Sequence, residues 1–230
     1  MAARTYAIGD IHGCLAALDA LLAQMIPSTD DTLVFLGDYI DRGADSKGVV
    51  ARLLELSGQC RTVFITGNHE EMAQDAGKSP EAWRYWMQYG GLATVKSYDV
   101  TDFWTEIPDD HRRFFAATVD FHETADHLLT HAPIRPSRPI AQQSSHDWRW
   151  SFDVPHAPHC SGKRVVCGHA TQRSGLPAIV NNTVFVDTGA WAGGWLTALD
   201  LEHTQALQAN QEGETRALTL EDFAGQPDEH

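Results

Sequence analysis

Residues 5–13 read TYAIGDIHG and residues 32–43 read TLVFLGDYIDRG. Each is a short apolar run that breaks at glycine and hands over to aspartate, followed in the first case by histidine two positions later. Runs this short, rich in β-branched and aromatic residues and closed by glycine, read as buried strands. The pattern recurs: Thr62 to Ile65 runs into TGNHE, His127 to Thr130 into His131-Ala132, Arg164 to Cys167 into GHAT, and Val184 to Val186 into DTGA. Leu196 to Leu199 reads as a closing strand.

Helical patterns separate the early strands. Leu15, Leu18, Leu22 and Met25 recur at spacings of three and four and make one apolar helix face. Val49, Val50, Leu53, Leu54 and Leu56 suggest a second helix, with Asp45 or Ser46 as its cap. Strand–helix alternation points to an α/β fold, a layered β-sheet core with flanking helices. The polar motifs fall at the strand C-terminal ends, where such sheets bind ligands.

Residues 74–125 are helix-prone and rich in Trp and Tyr, with a turn at Gly90-Gly91, and are expected to be a helical insertion in a single domain over residues 1–207. Within it, Trp83, Tyr85, Trp86 and Tyr89 read first as the packing face of a helix and second as a border of the cleft. Residues 133–163, rich in Pro, His and Ser, read as a long loop of the kind that carries substrate contacts. His156, His159 and Cys160 there read as solvated loop residues. Residues 208–230 are acidic and polar and are expected to be a poorly ordered tail.

With 230 residues and a net charge of −14, the chain is unsuited to general nucleic-acid binding, which needs a basic face. No apolar run approaches the roughly 18 residues of a membrane span. The N-terminus has no signal-peptide-like stretch, so a cytoplasmic location without a membrane partner is expected. The four cysteines, Cys14, Cys60, Cys160 and Cys167, form no CxxC pair, two sit within apolar runs, and they read as buried free thiols.

Six side chains at the strand ends suit divalent metals such as Mn, Fe or Zn: Asp10, His12, Asp38, Asn68, His131 and His169. Without thiolates, they do not form a structural zinc site. Six ligands exceed the needs of one tetrahedral ion and suit two, with Asp38 central enough to bridge them. Two ions roughly 3.5–4 Å apart can share a hydroxide and stabilise both oxygens of an in-line displacement at phosphorus. Arg42 supplies a planar fork for phosphate.

GDIHG, GDYIDRG, GNHE, the later His131 and GHA at 168–170 together resemble the phosphoprotein phosphatase branch of the calcineurin-like metallophosphoesterases. In length the chain resembles the small bacterial and bacteriophage lambda-type serine/threonine phosphatases. The likeness runs from about Tyr6 to Asp200 and includes WxxxGG at 86–91 and DTGA at 187–190. It implies the calcineurin-like fold and two divalent ions, Mn foremost with Fe, Zn, Mg or Ni as alternatives. Asp10, His12 and a bridging Asp38 would hold one ion; Asp38, Asn68, His131 and His169 would hold the other. His69 would act as general acid, oriented by Asp41, and Arg42 would clamp phosphate.

The implied reaction is phosphomonoester hydrolysis by a hydroxide bridging the two ions. Phosphoserine or phosphothreonine in proteins is the first substrate expectation and a small phosphoester is possible. A diadenosine polyphosphate hydrolase is the alternative, and a catalytically silent phosphate-binding scaffold the alternative from another class. The sequence departs from the family pattern at Thr66, where many relatives carry arginine. The late string Asp147-Trp148-Arg149-Trp150 is one residue shorter than the phage pattern, which leaves Arg149 as the candidate for a second phosphate-binding arginine. His131 is followed by Ala-Pro and His169 by Ala-Thr, so the loops around these ligands can differ from those of relatives.

Overall fold

The computed structural model describes residues 3–225 and Pro227. Strands β1 (Thr5–Ile8), β2 (Thr32–Phe35) and β3 (Arg61–Phe64) pair in parallel, because helices α1 (Leu15–Met25) and α2 (Ser46–Ser57) carry the chain back between them. Asp45 caps α2, accepting a hydrogen bond from Gly48 N at 2.8 Å. After β3 come α3 (Asn68–Ala76), α4 (Pro80–Trp86), α5 (Leu92–Tyr98), α6 (Phe103–Glu106) and α7 (Asp109–Ala116). A second sheet follows, with order β4-β5-β6-β8-β7: β4 (Phe121–Glu123), β5 (His127–Thr130), β6 (Arg164–Cys167), β7 (Ala178–Val180) and β8 (Thr183–Phe185). The span taken as a helical insertion thus ends in a strand, since residues 121–123 pair with β5.

The two sheets pack face to face, and side-chain alternation shows why. Tyr6, Ile8, Leu33 and Phe35 lie in the cluster beneath α1 and α2, while Ala7, Val34 and Leu36 lie in a second cluster with Leu129, Val166 and Val184. Successive residues of one strand face opposite sides, so strands apolar at every position must be covered on both. Helices cover the outer side of the first sheet. The outer side of the second is covered partly by the 133–163 segment, where α8 (Ser145–Arg149) seats Trp148 against Phe121 at a ring separation of 4.9 Å.

The C-terminal part corrects the expectation of a loose tail from residue 208. β9 (Leu196–Asp200) pairs antiparallel with β1, and β10 (Gln205–Ala209) and β11 (Thr215–Leu218) extend the first sheet by further antiparallel pairings, giving the order β11-β10-β9-β1-β2-β3. The boundary at 207 falls inside β10. Polarity misled because Gln208 is buried yet fully used: its Nε2 donates to Thr197 Oγ1 at 2.7 Å and its Oε1 accepts from Arg216 Nε at 2.6 Å. Ala224 continues the coverage by pairing beside Ala178, while Gln226 and residues 228–230 of that expectation lie outside the described residues. Among the described residues no helix is long and apolar enough to cross a membrane.

Asp31, at the entry to β2, accepts hydrogen bonds from Arg4 N, Arg4 Nη2 and Ser28 N at 2.8–2.9 Å. Burial pushes its carboxyl up, but the bonds from Arg4 and Ser28 outweigh burial and hold it well below the usual carboxylate range. The unfolded chain therefore takes up this proton first as pH falls. The stabilisation is complete above about pH 4 and is lost as pH drops towards the folded-state value. Urea unfolding should show Asp31→Asn less stable than the parent at pH 7, with the gap narrowing at pH 3. A gap independent of pH would show that ionisation of Asp31 is not its source.

Candidate functional site

All parallel strands of both sheets end on one side, and their following turns carry the polar motifs: Asp10 after β1, Asp38 after β2, Asn68 after β3, His131 after β5, His169 after β6 and Asp187 after β8. The first two turns are tied together. Ile11 N and His12 N donate to Asp38 O at 3.0 and 2.8 Å, and Gly13 N donates to Tyr39 O at 2.9 Å. Gly43 packs so closely under this pair that a Cβ would lie 2.0 Å from His12 O. The turns are sharp enough to force His12, Asp38, Asp41, Arg42 and His169 into left-handed backbone conformations, with φ from 48 to 74°. Among the described residues, five of the ten non-glycine residues with positive φ are thus site residues, the concentration of strain expected where structure over-determines a functional geometry.

Two groups of donor atoms converge at the sheet ends and share Asp38: His12, Asp38 and His69 in one, and Asp38, His131 and His169 in the other, each within a 4.8 Å span. His12 Nδ1 donates to Ile40 O at 2.8 Å and His131 Nδ1 donates to Leu36 O at 2.8 Å, which leaves both Nε2 lone pairs for the site. His131 Nε2 lies 2.9 Å from Asn68 Oδ1, and His169 Nδ1 lies 3.1 Å from the same oxygen. Two acceptor atoms facing at 2.9 Å are reconciled by a shared cation. The Nε2 atoms of His69 and His169 are buried without a hydrogen-bond partner, a costly state for a polar atom unless an ion, as at His169, or a substrate group, as at His69, comes to meet it. These residues therefore fit divalent cations.

The electrostatics agree. Burial lowers His12, His131 and His169, keeping these imidazoles neutral and able to ligate. Asp10 is raised by burial, then by Asp187 and Asp38, the direction expected of a carboxylate crowded by others. Asp10 sits beside the two groups, its carboxylate accepting from His169 N at 3.1 Å.

Asp41 is fully occupied. Its Oδ2 accepts from His69 Nδ1 at 2.7 Å and Trp86 Nε1 at 2.8 Å, and its Oδ1 accepts from Thr94 Oγ1 at 2.6 Å. His69 is thereby fixed with Nδ1 protonated and Nε2 turned inward, 3.9 Å from Asp38 Oδ2. Arg42 Nη1 donates to His12 Nε2 at 2.8 Å, and its guanidinium stacks 4.7 Å from the Trp191 ring centre. Above Asp38 and Asn68 opens a cleft of about 690 Å³, with Arg42, Tyr85, Tyr89, Phe152, Arg173 and Trp191 among its walls.

Of the ten residues singled out from sequence, nine come together here and Arg149 does not. Its guanidinium pairs with Glu71 at 3.2 Å and with Asp120, and it borders a separate recess beside Thr66. The partners are remote in sequence, and α8 turns the side chain towards them. The loop residues behave as expected only in part: Cys160 is exposed, but His159 is buried, bonded to Arg138 O and Ser161 Oγ. The tryptophan–tyrosine stretch also divides, with Trp86 buried against Asp41 and Tyr85 and Tyr89 on the cleft.

Sequence reasoning missed three contributors. Glu70 is buried and accepts from Asp38 N, Tyr39 N and Gly67 N at 2.8–3.0 Å, fastening the turns after β2 and β3. Asp187, second neighbour to the ligand groups, accepts from Gly189 N at 3.0 Å; the DTGA motif was its signal. Arg173 gave none.

Residues 3–173 match the calcineurin-like phosphoesterase family, and the chain belongs to it. It is therefore a phosphoesterase with a His/Asp cluster compatible with metal. It is 29% identical to serine/threonine-protein phosphatase 1 of Salmonella typhimurium over 213 residues, 84% of this chain and 89% of that protein. It is 32% identical to a symmetrical bis(5'-nucleosyl)-tetraphosphatase of Photorhabdus laumondii over 137 residues, 57% of this chain but only 45% of that protein. Its fold is shared with a cold-active protein-tyrosine phosphatase of a psychrophilic Shewanella, with a TM-score of 0.68 at 16% identity over 95% of this chain and 81% of that one.

Replacing Glu70 by Ala should leave three buried N–H groups without an acceptor and cost about 3–5 kcal/mol of stability. Glu70→Gln, which keeps one acceptor oxygen, should lose less. Denaturant unfolding of both variants checks this; a loss under about 1 kcal/mol for Glu70→Ala would mean water or a neighbour takes over the bonds.

Proposed function

We propose that the chain hydrolyses phosphoserine and phosphothreonine esters in proteins, with two divalent ions held at the sheet ends. The observation that carries the chemistry is the sharing of Asp38 between two converging donor groups, beside an imidazole already oriented by Asp41. The protein-substrate reading is supported by the match to serine/threonine-protein phosphatase 1, which takes in nearly all of both chains.

Asp10, His12 and Asp38 would hold one ion and Asp38, Asn68, His131 and His169 the other, with Mn the first candidate. When bound, the ions would acidify water and neutralise charge on the phosphoryl oxygens. The chain's own residues supply the rest. Arg42 presents its fork to the phosphate from the wall of the cleft, steadied on its face by Trp191, and an ion taken by His12 Nε2 would release the Nη1 that donates to it, for use on the phosphate. His69 holds a proton for the leaving alcohol at Nε2. Asp41, saturated by Trp86 and Thr94, stabilises the imidazolium and stops the ring from rotating. Burial of His69 and Asp41 keeps competing water from both.

A second reading, hydrolysis of a dinucleoside polyphosphate, draws on the aromatic lining of the cleft, where bases could stack, and on the tetraphosphatase relatives. The cleft's volume admits either kind of substrate group.

Metal-stripped protein should hydrolyse p-nitrophenyl phosphate only after Mn is restored, and Asp38→Asn should lose both turnover and bound metal. Full metal occupancy in an inactive Asp38→Asn variant would remove Asp38 from the bridging position. For His69→Asn, loss of kcat should be at least roughly tenfold greater on an alkyl phosphate than on p-nitrophenyl phosphate, because only the poor leaving group needs a proton. Equal losses on both would take the acid role from His69. Parallel assays on phosphopeptides and diadenosine tetraphosphate decide between the two substrates.

A further inference from the structure

The cleft is lined by two arginines, and only one of them has a partner. Arg42 is engaged by His12 and Trp191. Arg173 is exposed and, among the described residues, makes no ion pair and no side-chain hydrogen bond. In a chain of net charge −14 many arginines have found a carboxylate: Arg4 has Asp31, Arg52 has Asp19, Arg135 and Arg138 share Asp147, and Arg149 has Glu71. A guanidinium left free on the wall of a substrate cleft is available to an anion arriving from outside.

Its backbone is also held in place. Arg173 lies four residues beyond His169, on a turn in which Gln172 N donates to Asp187 O at 2.7 Å and Gly175 N donates to Gln172 O at 3.0 Å. Gln172 Nε2 is bonded in turn to Ala170 O at 2.6 Å. The turn that presents Arg173 is thus the same one that carries a candidate metal ligand, so the fold sets where its backbone stands relative to the site. The rest of the rim offers no further cationic side chain: it is aromatic at Tyr85, Tyr89, Phe152 and Trp191, and small or hydroxylic at Thr171, Gly189 and Ala192. A phosphate held at Arg42, above Asp38 and Asn68, leaves Arg173 as the remaining cation on the cleft wall.

We propose that Arg173 is a specificity residue that receives a second anionic group on the substrate, an acidic side chain close to the phosphorylated residue of a protein. This rests on the phosphoprotein reading above. Arg173 does not touch the scissile bond, so its contribution falls in KM and leaves the chemical step alone. Lysine at this position would keep the charge but lose the planar fork, and glutamate would repel the same peptides.

The test uses the full chain and three substrates: p-nitrophenyl phosphate, a phosphoserine peptide with alanine flanks, and the same peptide with glutamate flanks. The parent enzyme should favour the acidic peptide by roughly five- to tenfold in kcat/KM, the worth of one partly exposed charge-assisted contact. Arg173→Gln should abolish that preference through KM, Arg173→Lys should keep part of it, and Arg173→Glu should reverse it. Arg61→Gln, which removes an exposed arginine absent from the cleft lining, should retain it in full. A preference that survives Arg173→Gln, or equal slowing of all three substrates, overturns the assignment. So does an Arg173→Gln defect seen only with diadenosine tetraphosphate, where the second anion would be another phosphate. Turnover of p-nitrophenyl phosphate with neither peptide cleaved removes the phosphoprotein reading and this assignment with it. Cleavage of both peptides by the parent without preference removes Arg173 alone.

Discussion

The buried carboxylate of Glu70 holds the site together without facing the substrate cleft. One oxygen accepts from Asp38 N and Gly67 N, and the other from Tyr39 N, so the turns that follow β2 and β3 are fastened to a single group. Asp38 needs that restraint because it sits at a φ of 52°, where a side chain costs about 1–2 kcal/mol. Three hydrogen bonds from the surrounding N–H groups offset the strain. The restraint is reciprocal, since His69 N donates back to Asp38 Oδ1 at 3.1 Å. With Asp38 fixed in this way, both groups of converging donors are fixed too, because each contains it.

A second layer of constraint comes from the helices inserted after β3. Trp86 ends α4 and donates to the Asp41 oxygen that also accepts from His69, while Thr94 in α5 donates to the other. Between these helices Gly90, at a φ of 116°, accepts a hydrogen bond from Arg42 N, and a Cβ there would lie 2.9 Å from Arg42. The insertion thus sets the orientation of the imidazole and the path of the arginine. Helical spacing also makes it two-faced: Trp86 points to the core, while Tyr85 and Tyr89, four residues apart and 4.7 Å between ring centres, line the cleft.

The parts of this arrangement legible in the sequence are those dictated by short-range pattern. β1, β5 and β6 fall where the apolar runs place them, and each following glycine motif delivers its polar side chain to the same end of a sheet. The illegible parts depend on partners distant in the chain. Gln208 and Arg216 look like tail residues until each is seen to complete the other's hydrogen bonding in the sheet. Arg149 looks like a phosphate ligand until Glu71 and Asp120, 78 and 29 positions away, neutralise it. Glu70 reads as one of two adjacent glutamates after GNH; nothing local distinguishes it from Glu71, yet one is wholly buried and the other half-exposed.

Charge explains why so much structure is spent on arranging donors. Asp10, Asp38, Asp41, Glu70 and Asp187 are all buried around the base of the cleft, whereas its walls offer two arginines, one of them turned partly towards His12. At an effective dielectric near 20, two like charges 4 Å apart repel by about 4 kcal/mol, so even the ionised Asp38 alone, held low by the surrounding imidazoles against its burial, presents an incoming phosphate dianion with a field of the wrong sign. Neutral imidazoles cannot reverse it. What they can do, held with lone pairs inward and spare nitrogens tied to backbone carbonyls, is accept cations that reverse it locally while the rest of the surface stays acidic. The same carboxylates that would repel the substrate are then the reason the cations stay.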